Sequence, residues 1–444
     1  MPKKYVYSNR KFKSFLGNSR QGRYISDYLI ALNAKRCVVE NEYIDKDYTI
    51  DFQRYYSRAH KIISKYTHRI HFFSKSFSNK DFIEMLKGEN DTLEDVLKKH
   101  YLGFVVVKPI LDFNGDPLIG RTCLKTYPKI DGNMERHYLS SEQKATLYGI
   151  QLTVKSVPYQ AQDRGVSACA TVALWTALNT VSRLYDVRKV SPVEITEMSS
   201  TYPSRNRIFP QNGLTIEQMI ICLRSLSLDA EVINITRQNN DFALKTAVKA
   251  YSNAGIPLIY ILELIMQRNS ALHATVNTGY KTDVARNIIE LYIHDDQIGP
   301  YNKVLPIMPA NNLRYWDNEW IRVMGYNNLR VDYIIVPIYH KMRLEFNKIF
   351  SEYIETIRSA NEQFQEDANL DDTLLDIELL LYTIQSYKNE LFNKQIYNKE
   401  DVLTKTLPRF LWVIRFSYNQ QTFLDQVFDG TATYPTILEN VSYY

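Results

Sequence analysis

The strongest constraint on what this chain can fold into is a helical apolar stripe that begins beside a cysteine. From Ala168 to Leu184, Val172, Ala173, Ala177, Leu178, Val181 and Leu184 recur at helical spacing, which predicts a buried helix. Ser167 is the expected N-cap. The preceding run, Gln160-Ala-Gln-Asp-Arg-Gly-Val-Ser167, reads as a glutamine-bearing loop. Cys169 then falls in the first helical turn, where unpaired N–H groups and the positive helix end favour a thiolate. The thiolate is the nucleophilic form.

Two later segments supply what a cysteine nucleophile needs. Ala271-Leu-His273-Ala-Thr-Val-Asn-Thr-Gly-Tyr280 is strand-like, with a histidine near its start. Ile289-Glu-Leu-Tyr-Ile-His-Asp295-Asp296 is a second strand-like run that ends in carboxylates. Cys169 as nucleophile, His273 as general base and then general acid, and Asp295 as the group orienting His273 make a set for acyl transfer through a thioester. Asp296 is the alternative acid. Gln162, or alternatively Gln160, can donate an amide N–H to the oxyanion beside the Cys169 backbone N–H.

This order, with glutamine upstream, then Cys at a helix start, then His-Ala-x-x-x-x-Gly-Tyr, then a strand ending in Asp, resembles the papain-like cysteine peptidases. Within them it is most similar to the bacteriocin-processing, double-glycine leader peptidases. The resemblance covers roughly residues 156–300. It implies a papain-like core, with a helix bearing Cys169 packed on a mainly antiparallel sheet bearing His273 and Asp295. It also implies hydrolysis of a peptide or isopeptide bond with no cofactor and no metal. Two departures stand out. Those peptidases place the cysteine in Asp-Cys-Gly, where this chain has Asp163-Arg164-Gly165. Their glutamine lies six residues before the nucleophile, whereas here Gln162 is seven and Gln160 nine residues before Cys169. The alternatives are a catalytically silent peptide-binding module, or an acyltransferase using the same three residues.

Composition excludes several other classes. No run of about 18 apolar residues occurs, so no membrane-spanning helix is expected. The stretch from Met1 to Arg10 lacks the apolar segment of a signal peptide, so a cytoplasmic bacterial protein is expected. Four cysteines (Cys37, Cys123, Cys169, Cys222) are far apart with no C-x-x-C pair, which argues against disulfides and structural zinc. Cys37, Cys123 and Cys222 read as core thiols. His68 and His71, three apart on an expected helix, have no acidic or cysteine partner nearby in sequence, and metal binding there is not expected. The net charge of +5 is small, but Lys3, Lys4, Arg10, Lys11, Lys13, Arg20 and Arg23 all precede the first acid, Asp27. A solvated, frayed terminus is the favoured explanation, and nucleic acid is not an expected partner.

Three units are expected: an α+β unit at 1–155, the peptidase domain at 156–340 and a mostly helical unit at 341–444. The overall class is α/β in the α+β sense. The outer units are expected to choose the protein or peptide substrate, or a partner protein. In the first unit, Ile50–Phe73 shows helical alternation and Gly103–Ile110 is the clearest strand. In the last, Met342–Ile357 and Leu370–Phe392 are expected helices around an acidic break at Asn361–Asn369, followed by a strand at Arg409–Ser417. Small residues beside Cys169 (Ser167, Ala168, Ala170) and His273 (Ala271, Ala274) suggest a narrow cleft, with Tyr301 and Trp316 on a returning rim.

Overall fold

The computed structural model describes residues 4–90, 92–163, 165–201, 213–236, 240–266, 269–307, 312–366 and 374–444. Helices and antiparallel strands are mixed, which places the chain in the α+β class.

The first sheet has five antiparallel strands in chain order: Val6–Ser8, Arg36–Tyr43, Thr67–Phe73, Tyr101–Leu111 and Pro117–Leu124. Thr67–Phe73 replaces the second half of the helix expected over Ile50–Phe73; the helix itself is only Lys46–Arg54. The strand is central and buried on both faces apart from His68, so it lacks the two-residue alternation that marks a half-exposed strand. Ile62, counted in the helical pattern, is 96% exposed. The basic N-terminal stretch is not frayed. From Val6 it forms a strand and then the helices Phe12–Leu16 and Arg20–Ala31, with Phe12, Leu16, Ile25 and Leu29 in the core. Lys3 lies outside the described residues.

The second sheet carries the site. Ile259–Met266 pairs with Asn269–Thr282 on one side and Asn328–Tyr339 on the other. The path between those two continues through Ile288–Asp295, Gly299–Ile307 and Asn312–Asp317. Six antiparallel strands therefore close into a ring, joined at its weakest seam by one bridged pair, Tyr315 with Arg330. Closure removes the unpaired edges that an open sheet would present. Leu228–Asn234 extends the sheet from Asn328–Tyr339, and Met134–Tyr138 pairs with Asn269–Thr282. The helix Cys169–Tyr185 packs on Asn269–Thr282 and buries Trp175, Leu174, Ala177, Leu178 and Val181.

The stretch 341–444 is not mostly helical. Alongside the helices Phe346–Glu366, Ile384–Phe392 and Lys399–Thr404 it holds a four-stranded antiparallel sheet: Leu375–Thr383, Phe410–Tyr418, Gln421–Asp429 and Ile437–Ser442. Leu375–Thr383 takes the middle of the second expected helix, whose last nine residues are the helix Ile384–Phe392. Its apolar run suits a buried strand or a helix equally by pattern, and nine paired positions with Phe410–Tyr418 decide for the strand. The acidic stretch from Asn361 stays helical to Glu366, and residues 367–369 lie outside the described residues.

Candidate active site

The loop before the cysteine is built on the first sheet. Tyr159 N–H donates to the Thr122 carbonyl at 2.9 Å, and Ala161 N–H donates to the Ile119 carbonyl at 3.0 Å, so residues 159–161 run along the outer strand Pro117–Leu124. Asp163 then folds the loop. It accepts from Gly165 N–H at 3.1 Å and from Tyr56 Oη, and its backbone carbonyl accepts from Ser167 N–H at 2.7 Å. Ser167 is not the N-cap, as its hydroxyl is spent on the Asp163 backbone. Ala168 takes the cap position and Thr171 Oγ1 accepts from its N–H at 3.3 Å. Beneath the loop, Lys108 Nζ lies 3.6 Å from Asp51 and 3.7 Å from Asp163, with all three side chains buried. Burial raises the Asp51 carboxyl to about 7 against the pull of Lys108.

Cys169 opens the helix Cys169–Tyr185 and is only partly buried, unlike the other three cysteines. Burial pushes the thiols of Cys37, Cys123 and Cys222 up to about 12, as fits inert core residues. His273 stands where Asn269–Thr282 passes from an exposed to a buried stretch: Leu272 is 72% exposed and His273 is 3% exposed. Its Nε2 lies 3.2 Å from Asp295 Oδ1, which leaves Nδ1 as the nitrogen available to the thiol. Burial works to lower the His273 pKa. Asp295 and then Cys169 outweigh it and hold the imidazole well above the usual histidine range.

Asp295 ends the strand Ile288–Asp295 and is fully buried. Trp320 Nε1–H donates to its Oδ2 at 2.7 Å, and Gln297 N–H donates to its Oδ1 at 2.9 Å. The Trp320 ring also lies against the His273 ring, 4.8 Å between centroids. Burial favours the neutral acid, but His273 and these hydrogen bonds hold the Asp295 carboxyl below its ordinary range. Asp296 differs. Its Oδ1 lies 3.6 Å from His273 Nε2, yet neither carboxylate oxygen accepts a hydrogen bond. Burial and then the neighbouring Asp295 raise its pKa despite His273. Its backbone carbonyl accepts from Gln21 Nε2 at 3.0 Å, tying the N-terminal helix to the site. His273, Asp295 and Asp296 place ligand-type atoms within 4.8 Å of one another, a group the sequence pattern did not suggest as metal-binding.

The strand is pinned one residue earlier by His294. Tyr301 N–H donates to its Nδ1 at 3.0 Å, so the ring proton sits on Nε2 and faces the Val157 carbonyl at 3.0 Å. Burial lowers the His294 pKa to about 4, consistent with this neutral form.

Gln162 is partly exposed and lines a cleft of about 660 Å³ between the N-terminal unit and the loop. Gln160 is buried and its Nε2 has no hydrogen-bond partner. The expected rim residues lie elsewhere: Tyr301 and Trp316 are fully buried, because each side chain completes a core contact. Tyr301 Oη accepts from Val157 N–H at 2.8 Å, and Trp316 Nε1–H donates to the Leu313 carbonyl at 2.6 Å. Ala168, Ala170 and Ala274 are also buried, so they serve close helix–strand packing rather than lining a narrow cleft. His68 and His71 sit on a strand, where His71 bonds Glu40 and Tyr101, each at 2.8 Å. Trp320 was not anticipated. A tryptophan in the short helix Glu319–Arg322 carries no pattern that marks it.

No protein-family model matches this chain, and no curated protein matches it. No described helix is long and apolar enough to cross a membrane.

Proposed function

We propose that the chain is a papain-like cysteine hydrolase that cuts a peptide or isopeptide bond through Cys169, His273 and Asp295. The observation that carries this is one constellation: a partly exposed cysteine at a helix start, beside a histidine whose far nitrogen is held by a buried carboxylate. That arrangement fixes the imidazole tautomer and leaves its near nitrogen for the thiol.

The Cys169 thiolate adds to the scissile carbonyl carbon. The C–N bond then breaks as His273 gives its proton to the leaving amine, and a water deprotonated by His273 releases the acid from the thioester. The Cys169 backbone N–H and one glutamine amide stabilise the oxyanion. Gln162 is the candidate that opens on the cleft, and Gln160 is the one with a spare buried donor. The cleft lined by Tyr55, Phe113, Arg20 and Gln162 lies on the glutamine loop and is the place for a polypeptide to enter.

The test is alkylation with iodoacetamide near pH 7, followed by mass mapping, alongside peptide-substrate assays. Cys169 should be modified well before Cys37, Cys123 and Cys222. Cys169→Ala should abolish turnover with the melting temperature nearly unchanged, and His273→Ala should abolish it while lowering the melting temperature, since it takes the buried partner from Asp295. Loss of about 10²–10³ in kcat for one of Gln160→Ala and Gln162→Ala, but not the other, identifies the oxyanion donor. Turnover that survives Cys169→Ala would sink the proposal.

A further inference from the structure

We infer that His273, Asp295 and Asp296 form a binding site for one zinc-type divalent cation, whose occupation switches His273 off as a base. The binding does not depend on the hydrolase proposal; only the consequence for catalysis does. Three observations carry it.

The first is spacing. His273 Nε2 lies 3.2 Å from Asp295 Oδ1 and 3.6 Å from Asp296 Oδ1. A tetrahedral ion with bonds of about 2.0–2.2 Å holds neighbouring ligand atoms about 3.4 Å apart, and the two separations straddle that value. The second is Asp296 itself. It is 3% exposed, both carboxylate oxygens lack a hydrogen-bond partner, and one of them points at His273 Nε2. A buried carboxylate without a donor is costly, and a cation between these groups would supply what no N–H or O–H does. The third is the outer shell. Trp320 and Gln297 hold Asp295 with Oδ1 turned to His273 Nε2, the kind of support that orients metal-binding carboxylates.

One imidazole and two carboxylates make a nitrogen–oxygen donor set suited to zinc. A cavity of about 10 Å³ lined by Cys169, Thr176 and Asp296 adjoins the Asp296 side of the group and is about the size of one water. With Nε2 bound to the ion, a neutral imidazole carries its single proton on Nδ1. No lone pair then faces Cys169, so the thiol proton has no acceptor and attack stops.

The experiment is titration of Zn²⁺ into the full-length Cys169→Ala protein by calorimetry, because removing the thiol excludes simple thiolate capture. Saturable one-to-one binding is expected, weakened at least tenfold by adding Asp296→Asn. Cobalt substitution should give the visible absorption of a four-coordinate site. Absence of one-to-one binding to the Cys169→Ala protein overturns the inference, as does equal affinity with Asp296→Asn. If Asp296→Asn does not fold by circular dichroism, His273→Ala is judged by the same tenfold criterion. Failure of Cys169 to alkylate would count against the hydrolase while leaving the titration to decide the metal site.

Discussion

At the scale of single residues, the chemistry turns on how firmly Asp295 is held. Its two oxygens face three donors: His273, the Gln297 backbone N–H and the Trp320 indole N–H. Trp320 acts only through Asp295 and by its ring contact with His273, so it is a positioning residue. Trp320→Phe keeps most of the ring and removes the donor. A hydrogen bond to a charged group is worth about 1.5–3 kcal/mol, so kcat should fall roughly ten- to a hundredfold with KM little changed. The acid limb of the kcat pH profile should move up, because Asp295 loses a bond that lowers its pKa. An unchanged profile with an equal fall in stability would make Trp320 merely structural. Cys169 and Asp295 were legible because one begins a helix and the other ends a strand, and His273 because it lies near the start of a strand-like run. Trp320 was not, since it reaches Asp295 across 25 residues of chain that carry no periodic signal.

At the scale of elements, legibility follows local chemistry: caps and β-rich runs are readable, and long apolar stretches are not. Capped helix starts carry a local signal: Ser191 heads Pro192–Ser199 and Thr215 heads Ile216–Ser225, each with a capping box. Buried strands are legible where a β-rich run stands alone, as at Gly103–Ile110 and Arg409–Ser417, whereas Thr67–Phe73 and Leu375–Thr383 sit inside longer apolar stretches that fit a helix equally well. Glu231 shows how buried strands are tied to helices. On Leu228–Asn234 it accepts from Tyr251 Oη at 2.6 Å and from the Phe346 N–H that begins the helix Phe346–Glu366. Burial raises its carboxyl from 4.5 to about 7. Between those values the folded protein binds the proton that the unfolded chain has released, so stability falls as pH rises and levels off above about 7. Replacing it by Glu231→Gln removes this slope. Relative to Gln, the wild type should lose on the order of 3 kcal/mol between pH 4.5 and 7. Urea denaturation of both proteins at pH 5 and pH 8 checks this, and an identical difference at the two pH values would refute it.

At the scale of the whole molecule, the three units expected from the sequence share their cores. Tyr159, Ala161 and Tyr301 pack into the same cluster as Phe12, Ile25, Leu29 and Ile119. Met134–Tyr138 pairs with the strand that carries His273, matching Tyr138 to Gly279, where a side chain at 279 would strike the His137 carbonyl. Gly299 serves the same joint, since Tyr24 from the helix Arg20–Ala31 occupies the space a β-carbon would need. Gln21 bonds the Asp296 carbonyl, and Lys108 neutralises the loop anchor Asp163. Removing residues 1–155 would therefore strip two strands, Ile130–Asp131 and Met134–Tyr138, from the second sheet, expose Tyr159 and Tyr301, and take Lys108 and Tyr56 from the loop anchor Asp163. Losing one partner of such a buried pair alone costs about 3–5 kcal/mol, and marginal stability for a domain is about 5–15 kcal/mol. The chain beginning at 156 should thus be insoluble or lack cooperative melting, whereas the full chain melts cooperatively. Cys169 in the truncated chain should alkylate no faster than Cys222, because the thiol loses its placed histidine while the core opens. Circular dichroism melts and cysteine mapping of both chains decide it. A truncated chain that melts cooperatively and keeps selective Cys169 labelling would show that the N-terminal unit is only an appendage to the site.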